Sequence, residues 1–374
     1  MILLYKVLSS CLYPFLVIMI YLRRFLGKED LSRFKEKIFP SGFNIINKKN
    51  SKLLWFHAAS IGEFRSIIPL INQLNIDNKN YSYLITTTTL SSGNLAKKEF
   101  INNNNVFHRY LPLDVPFLIE KFLSGWKPDR IFLVDSEIWP NLILKAKYHK
   151  IPIALLNARL TTKSYSKWMM FPDTAKRIFS IFKLCICSNF ETKKFLEELS
   201  VQNIFFKGNI KFIGKVDEKK IKSLNEKFFL SKKFWLAAST HKEEEIFCLK
   251  THLILNKKYK KVITIIAPRH IERSKKIKNL AEKMGLNAQI LNPNNLILEN
   301  KQIIIVNYFG VLNEFFKYAQ SVFIGKSMIK RLEKVGGQNP IEAAKLDCKI
   351  YHGPYVYNFE EIYKILEKNN ISQV

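Results

Sequence analysis

Cysteine, glycine, proline and acidic residues are all scarce in this chain of 374 residues. The five cysteines are odd in number, scattered, and form no C-x-x-C pair, so we expect neither a disulfide-stapled scaffold nor a zinc or thioredoxin-like motif. Such cysteine usage fits a reducing, cytoplasmic compartment. The seven histidines show no H-x-x-x-H spacing, so we expect no bound metal and no cofactor.

The composition predicts a folded, strongly basic protein of two or three domains. Hydrophobic residues make up 47% and charged residues 24%, which argues against a disordered or collagen-like chain. Sixty Lys and Arg face 31 Asp and Glu, which leaves a net charge of +29. That excess predicts an anionic partner: a phosphate-bearing lipid, a membrane surface or a nucleic acid. The basic residues are spread out and no RRM, KH or zinc-finger pattern is present, so a nucleic-acid binder is the less favoured alternative.

The N-terminal stretch Met1 to Leu22 is almost entirely apolar, with interruptions at Lys6 and Pro14. A helix that spans a membrane needs about 20 apolar residues. Arg23 and Arg24 follow directly instead of the small residues of a cleavage site, so we expect a retained anchor helix over 1–24. The positive charges after this stretch place the rest of the chain in the cytoplasm. A buried or interfacial helix is the alternative.

Short apolar runs alternate with helical patterns along the rest of the chain, which predicts an α/β fold with two doubly wound parallel sheets. The runs are Leu53–Phe56, Tyr83–Thr86, Arg130–Val134, Ile153–Leu156, Leu184–Cys187, Asn203–Phe206, Phe234–Ala237, Val262–Ile266, Gln302–Val306, Ser321–Ile324 and Lys349–Tyr351. A charged linker over 216–227 separates the two sets, so we expect domains over 25–212 and 213–374 with a cleft between them. Ligands in such sheets bind beyond the carboxyl ends of the strands.

Glu63 is the first candidate site residue, because it falls where a helix begins after the first predicted strand. The small residues Ser60 and Gly62 beside it would let a substrate approach the backbone. Its carboxylate could take a proton from an attacking hydroxyl group. A carboxylate that merely stabilises the first turn of a helix is the structural alternative.

A second strand exit, after Val134, carries Asp135, Glu137 and Asn141. These carboxylates could contact a substrate, pair with basic neighbours or cap the helix at Asn141, and the sequence leaves these readings open.

In the second half, the strand that ends near Ser239 and Thr240 is followed by a helix with an acidic first turn. Hydroxyl groups and unpaired backbone N–H groups would converge there on an anion. A simple helix cap by Ser or Thr is equally consistent with this sequence. The next strand leads into Arg269 and His270, which predict phosphate or carboxylate binding. Solvated surface basic residues are the alternative in so basic a chain.

A diglycine at Gly336 and Gly337 precedes Asn339 and a helix start that bears Glu342. Glycines permit close approach of the backbone to a phosphate, and Glu342 could accept hydrogen bonds from ribose hydroxyl groups.

These motifs together resemble the bacterial 3-deoxy-D-manno-octulosonic acid (Kdo) transferases, lipid A glycosyltransferases of the GT-B type. The likeness is carried, in order, by HAASIGEF, YLPLDVP, SEIWPN, NARLTTKSYSKW, GNIKF, ASTHKEEE, APRHIER, GGQNPIEAA and GPYVYNF. It implies two Rossmann-like domains that face a cleft. The N-terminal domain would receive the lipid acceptor, and the C-terminal domain would hold CMP-Kdo.

The resemblance also implies roles for single residues. Glu63 would be the general base of an inverting transfer to a lipid A precursor (lipid IVA) in lipopolysaccharide biosynthesis, at the cytoplasmic side of the inner membrane. The donor would be held by Ser239, Thr240, Arg269, His270, Gly336, Gly337, Asn339 and Glu342. Acceptor-side or structural positions would be Ser60, Gly62, Glu137, Asn157 and Arg159. A GT-B transferase that uses a UDP-sugar is the alternative within the enzymes.

The chain departs from the pattern of these transferases at four positions. Lys326 follows Gly325 where a second glycine is usual, and Gln338 stands where His is usual. Ala343 replaces a common Pro, and Asp135 replaces Glu. We therefore expect Lys326 to lie near the nucleotide and to alter its contacts.

Overall fold

The computed structural model describes residues 1–41, 43, 51–213, 216, 218–259 and 261–374. The chain folds as two compact units, Met1–Gly214 (unit 1) and Lys215–Val374 (unit 2). Each unit is built on a parallel sheet with seven strands among the described residues. The predicted α/β fold with two parallel sheets is confirmed.

The strands of unit 1 are β1 (Lys52–His57), β2 (Tyr81–Thr87), β3 (Val106–Tyr110), β4 (Arg130–Val134), β5 (Ile153–Ala158), β6 (Leu184–Cys187) and β7 (Ile204–Phe206). Those of unit 2 are β8 (Phe234–Thr240), β9 (Ile263–Pro268), β10 (Ala288–Leu291), β11 (Ile303–Val306), β12 (Ser321–Ile324), β13 (Lys349–His352) and β14 (Ser372–Gln373). All eleven predicted runs overlap a strand, whereas β3, β10 and β14 were not predicted. β3 contains His and Arg and is only partly buried, so its sequence lacks the apolar run that is typical of an inner strand.

The helices of unit 1 are α1 (Ile2–Cys11), α2 (Tyr13–Phe25), α3 (Ile61–Asp77), α4 (Leu90–Glu99), α5 (Pro116–Trp126), α6 (Pro140–Tyr148), α7 (Thr162–Met169), α8 (Pro172–Phe179) and α9 (Phe190–Glu198). Those of unit 2 are α10 (Glu226–Ser231), α11 (Glu244–Lys258), α12 (Ser274–Lys283), α13 (Leu312–Phe316), α14 (Ile341–Lys345) and α15 (Glu360–Lys368). Short 3-10 turns cover Phe34–Lys37, Ile210–Phe212, Glu218–Lys220, Ile271–Arg273, Lys330–Val335 and Tyr357–Phe359.

The order of the strands shows where each sheet can bind a ligand. Unit 1 runs β3-β2-β1-β4-β5-β6-β7 and unit 2 runs β10-β11-β9-β8-β12-β13-β14. The direction of winding reverses between β1 and β4 in the first sheet and between β8 and β12 in the second. Ligands of doubly wound sheets bind at the carboxyl ends of the strands at this switch point.

The core of unit 1 lies on both faces of its sheet because its central strands are apolar throughout. Leu53 and Trp55 of β1 join one buried cluster with Ile131, and Leu54 and Phe56 join another on the opposite face. Continuous burial on both faces is typical of inner parallel strands.

The helix predicted over 1–24 is two helices, and its role as an anchor stays a prediction. α1 and α2 meet at a bend of 53°, and within the described residues no single helix is both long and apolar enough to cross a membrane. The two helices taken together do meet that length and composition test. Pro14 lies in the first turn of α2 and has no N–H to continue the hydrogen bonds of α1, so the break falls there.

The bent helix pair is fastened to the body of unit 1 by hydrogen bonds. Tyr5 donates to the Asp114 carboxylate at 2.9 Å, and Tyr13 donates to the carbonyl of Ile38 at 2.7 Å. Its outer face is apolar and exposed, and Phe25 at the end of α2 is 90% exposed. The other exposed apolar residues of the pair include Leu3, Leu4, Val7, Leu8, Leu12, Phe15, Ile18 and Leu22.

Candidate functional site

Glu63 lies in the first turn of α3, directly beyond the carboxyl end of β1. Ser60 is the N-cap residue: its hydroxyl accepts from the Glu63 N–H at 3.3 Å and donates to Glu63 Oε1 at 2.8 Å. The Ala59 N–H donates to Glu63 Oε2 at 2.8 Å. This reciprocal arrangement is close to a capping box. Glu63 therefore stabilises the first turn of α3, which is the structural role that the sequence allowed. The same hydrogen bonds hold its carboxylate in one orientation.

The surroundings of Glu63 also suit it to accept a proton. Partial burial raises the pKa of its carboxyl group, and the nearby charges of Glu137 and Asp135 raise it further, against the opposing hydrogen bonds from Ser60 and Ala59. A carboxylate with a raised pKa is a stronger base than an ordinary surface glutamate. Gly62 leaves open space above the turn, since a Cβ there would meet only the Ser60 hydroxyl at 4.0 Å.

Glu137 follows β4, the strand beside β1 at the switch point. Its Oε2 accepts from the indole N–H of Trp139 at 2.8 Å and lies 3.1 Å from His57 Nε2. Burial alone would raise the pKa of Glu137, but the contacts with His57 and Trp139 outweigh burial and hold that pKa below its ordinary value. Glu137 thus stays ionised while the pKa of Glu63 is raised, the pattern of paired carboxylates with different roles.

His57 is fully buried and positions Glu137 from the end of β1. Its Nδ1 lies 2.9 Å from the hydroxyl of Thr86, which also accepts from the indole N–H of Trp55 at 2.8 Å. This chain of contacts ties the carboxylate of Glu137 to the core of the sheet. Sequence reasoning did not select His57, although it is the first residue of the HAASIGEF motif.

Asp135 and Asn157 bind the segment that follows β7. Asp135 forms a 2.6 Å ion pair with Lys211, and the side chain of Asn157 accepts from the Ile210 N–H at 3.0 Å. Arg159 is half-buried, and its N–H donates to the Asp135 carbonyl at 3.3 Å. These contacts hold the Ile210–Phe212 turn against the carboxyl edge of the sheet. The sequence offered no signal that Lys211 would be the partner of Asp135.

The helix at Asn141 is capped by Asp114, and not by Asp135 or Glu137 as the sequence allowed. Asp114 accepts from the N–H groups of Asn141 at 3.0 Å and Leu142 at 2.9 Å. The same carboxylate accepts from Tyr5, so one buried side chain in the segment before α5 joins α1 and α6.

In unit 2 the chain leaves β8 through an irregularity between Ala238 and Thr240, where Ser239 adopts a φ of +56°. Ser239 is half-buried, whereas Thr240 is fully buried and its hydroxyl has no partner among the described residues. The Thr240 carbonyl accepts from the Arg269 N–H at 2.9 Å, which joins the exits of β8 and β9. Ser239 is therefore the hydroxyl that a ligand can reach directly.

Glu244 of α11 accepts from one backbone N–H group of the predicted anion site, that of His241, and from three in the loop after β12. Its carboxylate, which is only 1% exposed, accepts from the N–H groups of His241, Lys326, Ser327 and Met328 at 2.7–3.1 Å. Glu244 therefore occupies one N–H group of the predicted anion site, and anion binding by the others stays a prediction. The carboxylate locks the loop after β8 to the loop after β12.

The side chains of His241, Arg269 and His270 also lie at this edge. His241 Nδ1 lies 3.2 Å from the Ser239 carbonyl, so that nitrogen donates and the neutral ring leaves Nε2 as an acceptor. Burial lowers the pKa of His241. The ring of His270 is 5.6 Å away, and both Arg269 and His270 are exposed. Arg273, by contrast, is paired with Glu245 at 2.7 Å.

The diglycine is required by packing. A Cβ on Gly336 would lie 2.3 Å from the Tyr355 carbonyl, and Gly337 has a φ of +86°. The Gly337 N–H donates to the Lys326 carbonyl, so it is not available to a phosphate. Beyond the diglycine, Asn339 is exposed and its side-chain oxygen accepts from the Ile341 N–H at 3.1 Å, and Glu342 is half-buried in the first turn of α14. Over the described ranges, no group of three or more His, Cys, Asp or Glu residues is placed to hold a metal ion.

Two doubly wound units, each with polar side chains at its switch point, are the architecture of the GT-B fold. The fold is shared with UDP-GlcNAc 2-epimerase from Neisseria meningitidis bound to UDP-GlcNAc, with a TM-score of 0.59 and 16% sequence identity over 86% of this chain and 87% of that one.

Residues 32–213 match the family model described as 3-deoxy-D-manno-octulosonic-acid transferase (kdotransferase). Two relatives carry the same name. The 3-deoxy-D-manno-octulosonic acid transferase of Rickettsia bellii is 32% identical over 94% of this chain and 82% of its own length. That of Haemophilus influenzae is 31% identical over 84% of this chain and 73% of its own length. The chain belongs to the 3-deoxy-D-manno-octulosonic acid transferase family and is a glycosyltransferase.

Proposed function

We propose that this chain transfers Kdo from CMP-Kdo to a lipid A precursor, lipid IVA, in lipopolysaccharide biosynthesis, with Glu63 as the general base. Family membership supports the transferred sugar. The observation that carries the mechanism is the carboxylate of Glu63, fixed by Ser60 and Ala59 at the switch point of unit 1 with a pKa raised by burial.

The proposed reaction is a single displacement that inverts the anomeric carbon. Glu63 takes the proton of the acceptor hydroxyl group as that oxygen forms a bond to the anomeric carbon of Kdo. The bond from this carbon to the phosphate oxygen breaks, and its electron pair leaves with CMP. Glu137, held ionised by His57, keeps Glu63 basic. Basic removal of a proton contributes about 10²–10⁴ in rate.

The donor belongs to unit 2 in this proposal, where the nucleotide binds beyond β8, β9 and β12. Arg269 and His270 are exposed at this edge, where the guanidinium of Arg269 supplies a positive charge and the ring of His270 supplies hydrogen-bonding nitrogens. Ser239 and the Nε2 acceptor of His241 are suited to hydroxyl groups of the ribose or the sugar. Charge that develops on the departing phosphate is stabilised by such fixed cations.

We place the enzyme at the cytoplasmic side of the inner membrane, held by the bent helix pair α1 and α2. Two observations support this placement: the exposed apolar side chains on the outer face of the pair, and the basic residues Arg24 in the last turn of α2 and Lys28 and Lys35 after it. Each basic residue near an anionic surface contributes about 1 kcal/mol to binding. Phosphorylated lipid acceptors would be concentrated at the same surface.

The decisive experiment incubates the full chain with lipid IVA and a coupled supply of CMP-Kdo, and weighs the products by mass spectrometry. A mass increase of one or more Kdo residues supports the proposal. Parallel reactions receive UDP-sugars in place of CMP-Kdo. Transfer from a UDP-sugar without transfer from CMP-Kdo contradicts the proposed donor and favours the alternative enzyme.

The membrane placement has its own test, since it does not depend on the chemistry. Vesicles that contain anionic lipid should co-sediment the wild-type chain. Replacement of Phe15, Ile18 and Leu22 by Asp puts charge on the exposed face of α2 and should release the protein without unfolding it. Equal sedimentation of this variant contradicts the placement.

A further inference from the structure

Lys326 occupies a backbone conformation that lysine rarely adopts. It follows Gly325 at the carboxyl end of β12, the strand that pairs with β8 at the switch point of unit 2. Its φ of +61° lies in the left-handed region, which glycine enters without strain and which is unfavourable for a residue with a Cβ.

The backbone of Lys326 is held on both sides. Its N–H donates to Glu244 Oε2 at 2.7 Å, and its carbonyl accepts from the Gly337 N–H at 2.6 Å. The preceding Gly325 has no room for a side chain, because a Cβ there would lie 2.6 Å from the Ser239 carbonyl. The loop therefore imposes the left-handed conformation at residue 326.

The contacts that impose this conformation involve only backbone atoms of Lys326. Glycine would make the same two hydrogen bonds and would adopt the same φ without strain. The lysine side chain therefore adds nothing to the loop that glycine would lack. Strained residues that persist at a binding edge point to a functional constraint.

The side chain of Lys326 brings a cation to an edge that already carries Arg269, His241 and His270. Within the part of the chain that the structure describes, neither Lys326 nor Arg269 has an ion-pair partner. Two acidic groups that follow β8 are already used: Glu244 accepts from four backbone N–H groups and Glu243 pairs with Arg331 at 3.0 Å.

We propose that Lys326 is a donor-binding residue of this chain, whose ammonium group contacts an anionic group of the nucleotide sugar at the β8–β12 edge. The anion is either the phosphate or the carboxylate of the sugar acid. This inference rests on the proposed function and adds a specificity determinant to it. A flexible ammonium group binds an anion as a point charge.

The test compares Lys326→Gly with Lys261→Gly, which is a matched control. Lys261 is also left-handed, with a φ of +68°, and exposed, but it precedes β9 at the opposite end of the sheet. Both substitutions remove one positive charge and relieve the same backbone strain. CMP affinity is measured by isothermal titration calorimetry, donor KM by the Kdo transfer assay, and folding by thermal unfolding.

We expect Lys326→Gly to weaken CMP binding about tenfold if the ammonium group contacts the phosphate, or to raise the KM for CMP-Kdo about tenfold if it contacts the carboxylate. This is the loss typical of one charged hydrogen bond, and the melting temperature should equal or exceed that of the wild type. Lys326→Asn, which tolerates the same φ, should lose the same affinity, and Lys326→Arg should keep most of it. Lys261→Gly should bind CMP as the wild type does.

The outcomes separate the two anions and the two proposals. A loss of CMP affinity assigns Lys326 to the phosphate, and a rise in the KM for CMP-Kdo with unchanged CMP affinity assigns it to the carboxylate. Unchanged CMP affinity and unchanged donor KM in a folded Lys326→Gly overturn the inference alone. A wild-type chain that binds CMP but transfers no Kdo contradicts the proposed function, while the CMP titrations still judge Lys326.

Discussion

Replacement of Glu63 by Gln separates the two roles that the structure gives this side chain. The glutamine amide can still accept one of the hydrogen bonds from Ala59 and Ser60, as glutamine does in natural capping boxes, so α3 should keep its start. It cannot accept a proton from an acceptor hydroxyl group. We therefore expect Glu63→Gln to fold, bind CMP normally and lose almost all transfer.

The magnitudes of the two roles differ enough to be told apart. Loss of a general base lowers kcat about 10²–10⁴-fold, which is a barrier increase of about 3–5 kcal/mol. Loss of an N-cap costs about 1 kcal/mol of unfolding free energy. Ser60→Ala is the matched control, because it removes the cap hydroxyl at 3.3 Å from the Glu63 N–H but leaves the carboxylate in place.

Ser60→Ala also predicts a direction on the pH axis. The Ser60 hydroxyl group lowers the pKa of Glu63, so its removal raises that pKa. The base form of Glu63 is lost as the pH falls through its pKa, so the acidic limb of kcat/KM moves to higher pH in Ser60→Ala. Above this limb, kcat should stay near the wild-type value.

The assay measures kcat from Kdo-bearing product by mass spectrometry, with urea unfolding and CMP titration on the same preparations. A folded Glu63→Gln whose kcat is within about threefold of the wild type would refute the general-base role. A Ser60→Ala variant as inactive as Glu63→Gln would show that the helix start, and not proton transfer, is what the reaction needs.

Three further predictions follow from single contacts. Glu137→Gln removes a negative charge that raises the pKa of Glu63, so the acidic limb of kcat/KM should move to lower pH; an unmoved limb contradicts the coupling. Gly325→Ala places a Cβ 2.6 Å from the Ser239 carbonyl and should lower the unfolding free energy by about 1–3 kcal/mol in urea; an unchanged midpoint contradicts the packing argument. Asp114→Ala leaves the N–H groups of Asn141 and Leu142 without their acceptor and should cost at least about 2 kcal/mol, whereas Asp173→Ala on the exposed first turn of α8 should cost little.

Much of the fold was predictable because apolar runs and helical patterns are local signals. β1, with five buried residues in a row, can only be an inner strand once helices flank it. β14 has two residues and β10 has a partly polar sequence, so neither carries such a signal. Pro14 was noted as an interruption of the apolar stretch, and the break between α1 and α2 falls there.

The candidate site was predictable only in part, since its partners lie far apart in the sequence. Glu63 was found because it begins a helix after a strand, which is a local pattern. The pair of His57 with Glu137 joins residues 80 apart, and the pair of Asp135 with Lys211 joins residues 76 apart. No spacing in a single sequence specifies such contacts, because the order of the strands in the sheet creates them.

Backbone conformation at the strand exits gives independent support for the two binding edges. Asp135 and Asn157 in unit 1, and Ser239 and Lys326 in unit 2, all have positive φ at the carboxyl ends of their sheets. Most other left-handed residues, such as Lys127 after α5, follow a helix, where this conformation is the ordinary way to end one.

At a strand exit the same conformation costs about 1–2 kcal/mol for a residue other than glycine. Asp and Asn relieve part of that cost through local hydrogen bonds, whereas Ser239 and Lys326 are the less expected occupants. Strain of this kind concentrates where side chains must be aimed at a ligand. The residue types Ser and Lys do not predict a positive φ, so this evidence for the donor edge comes from the structure alone. It selects the same edge of the sheet as the ASTH and APRH motifs.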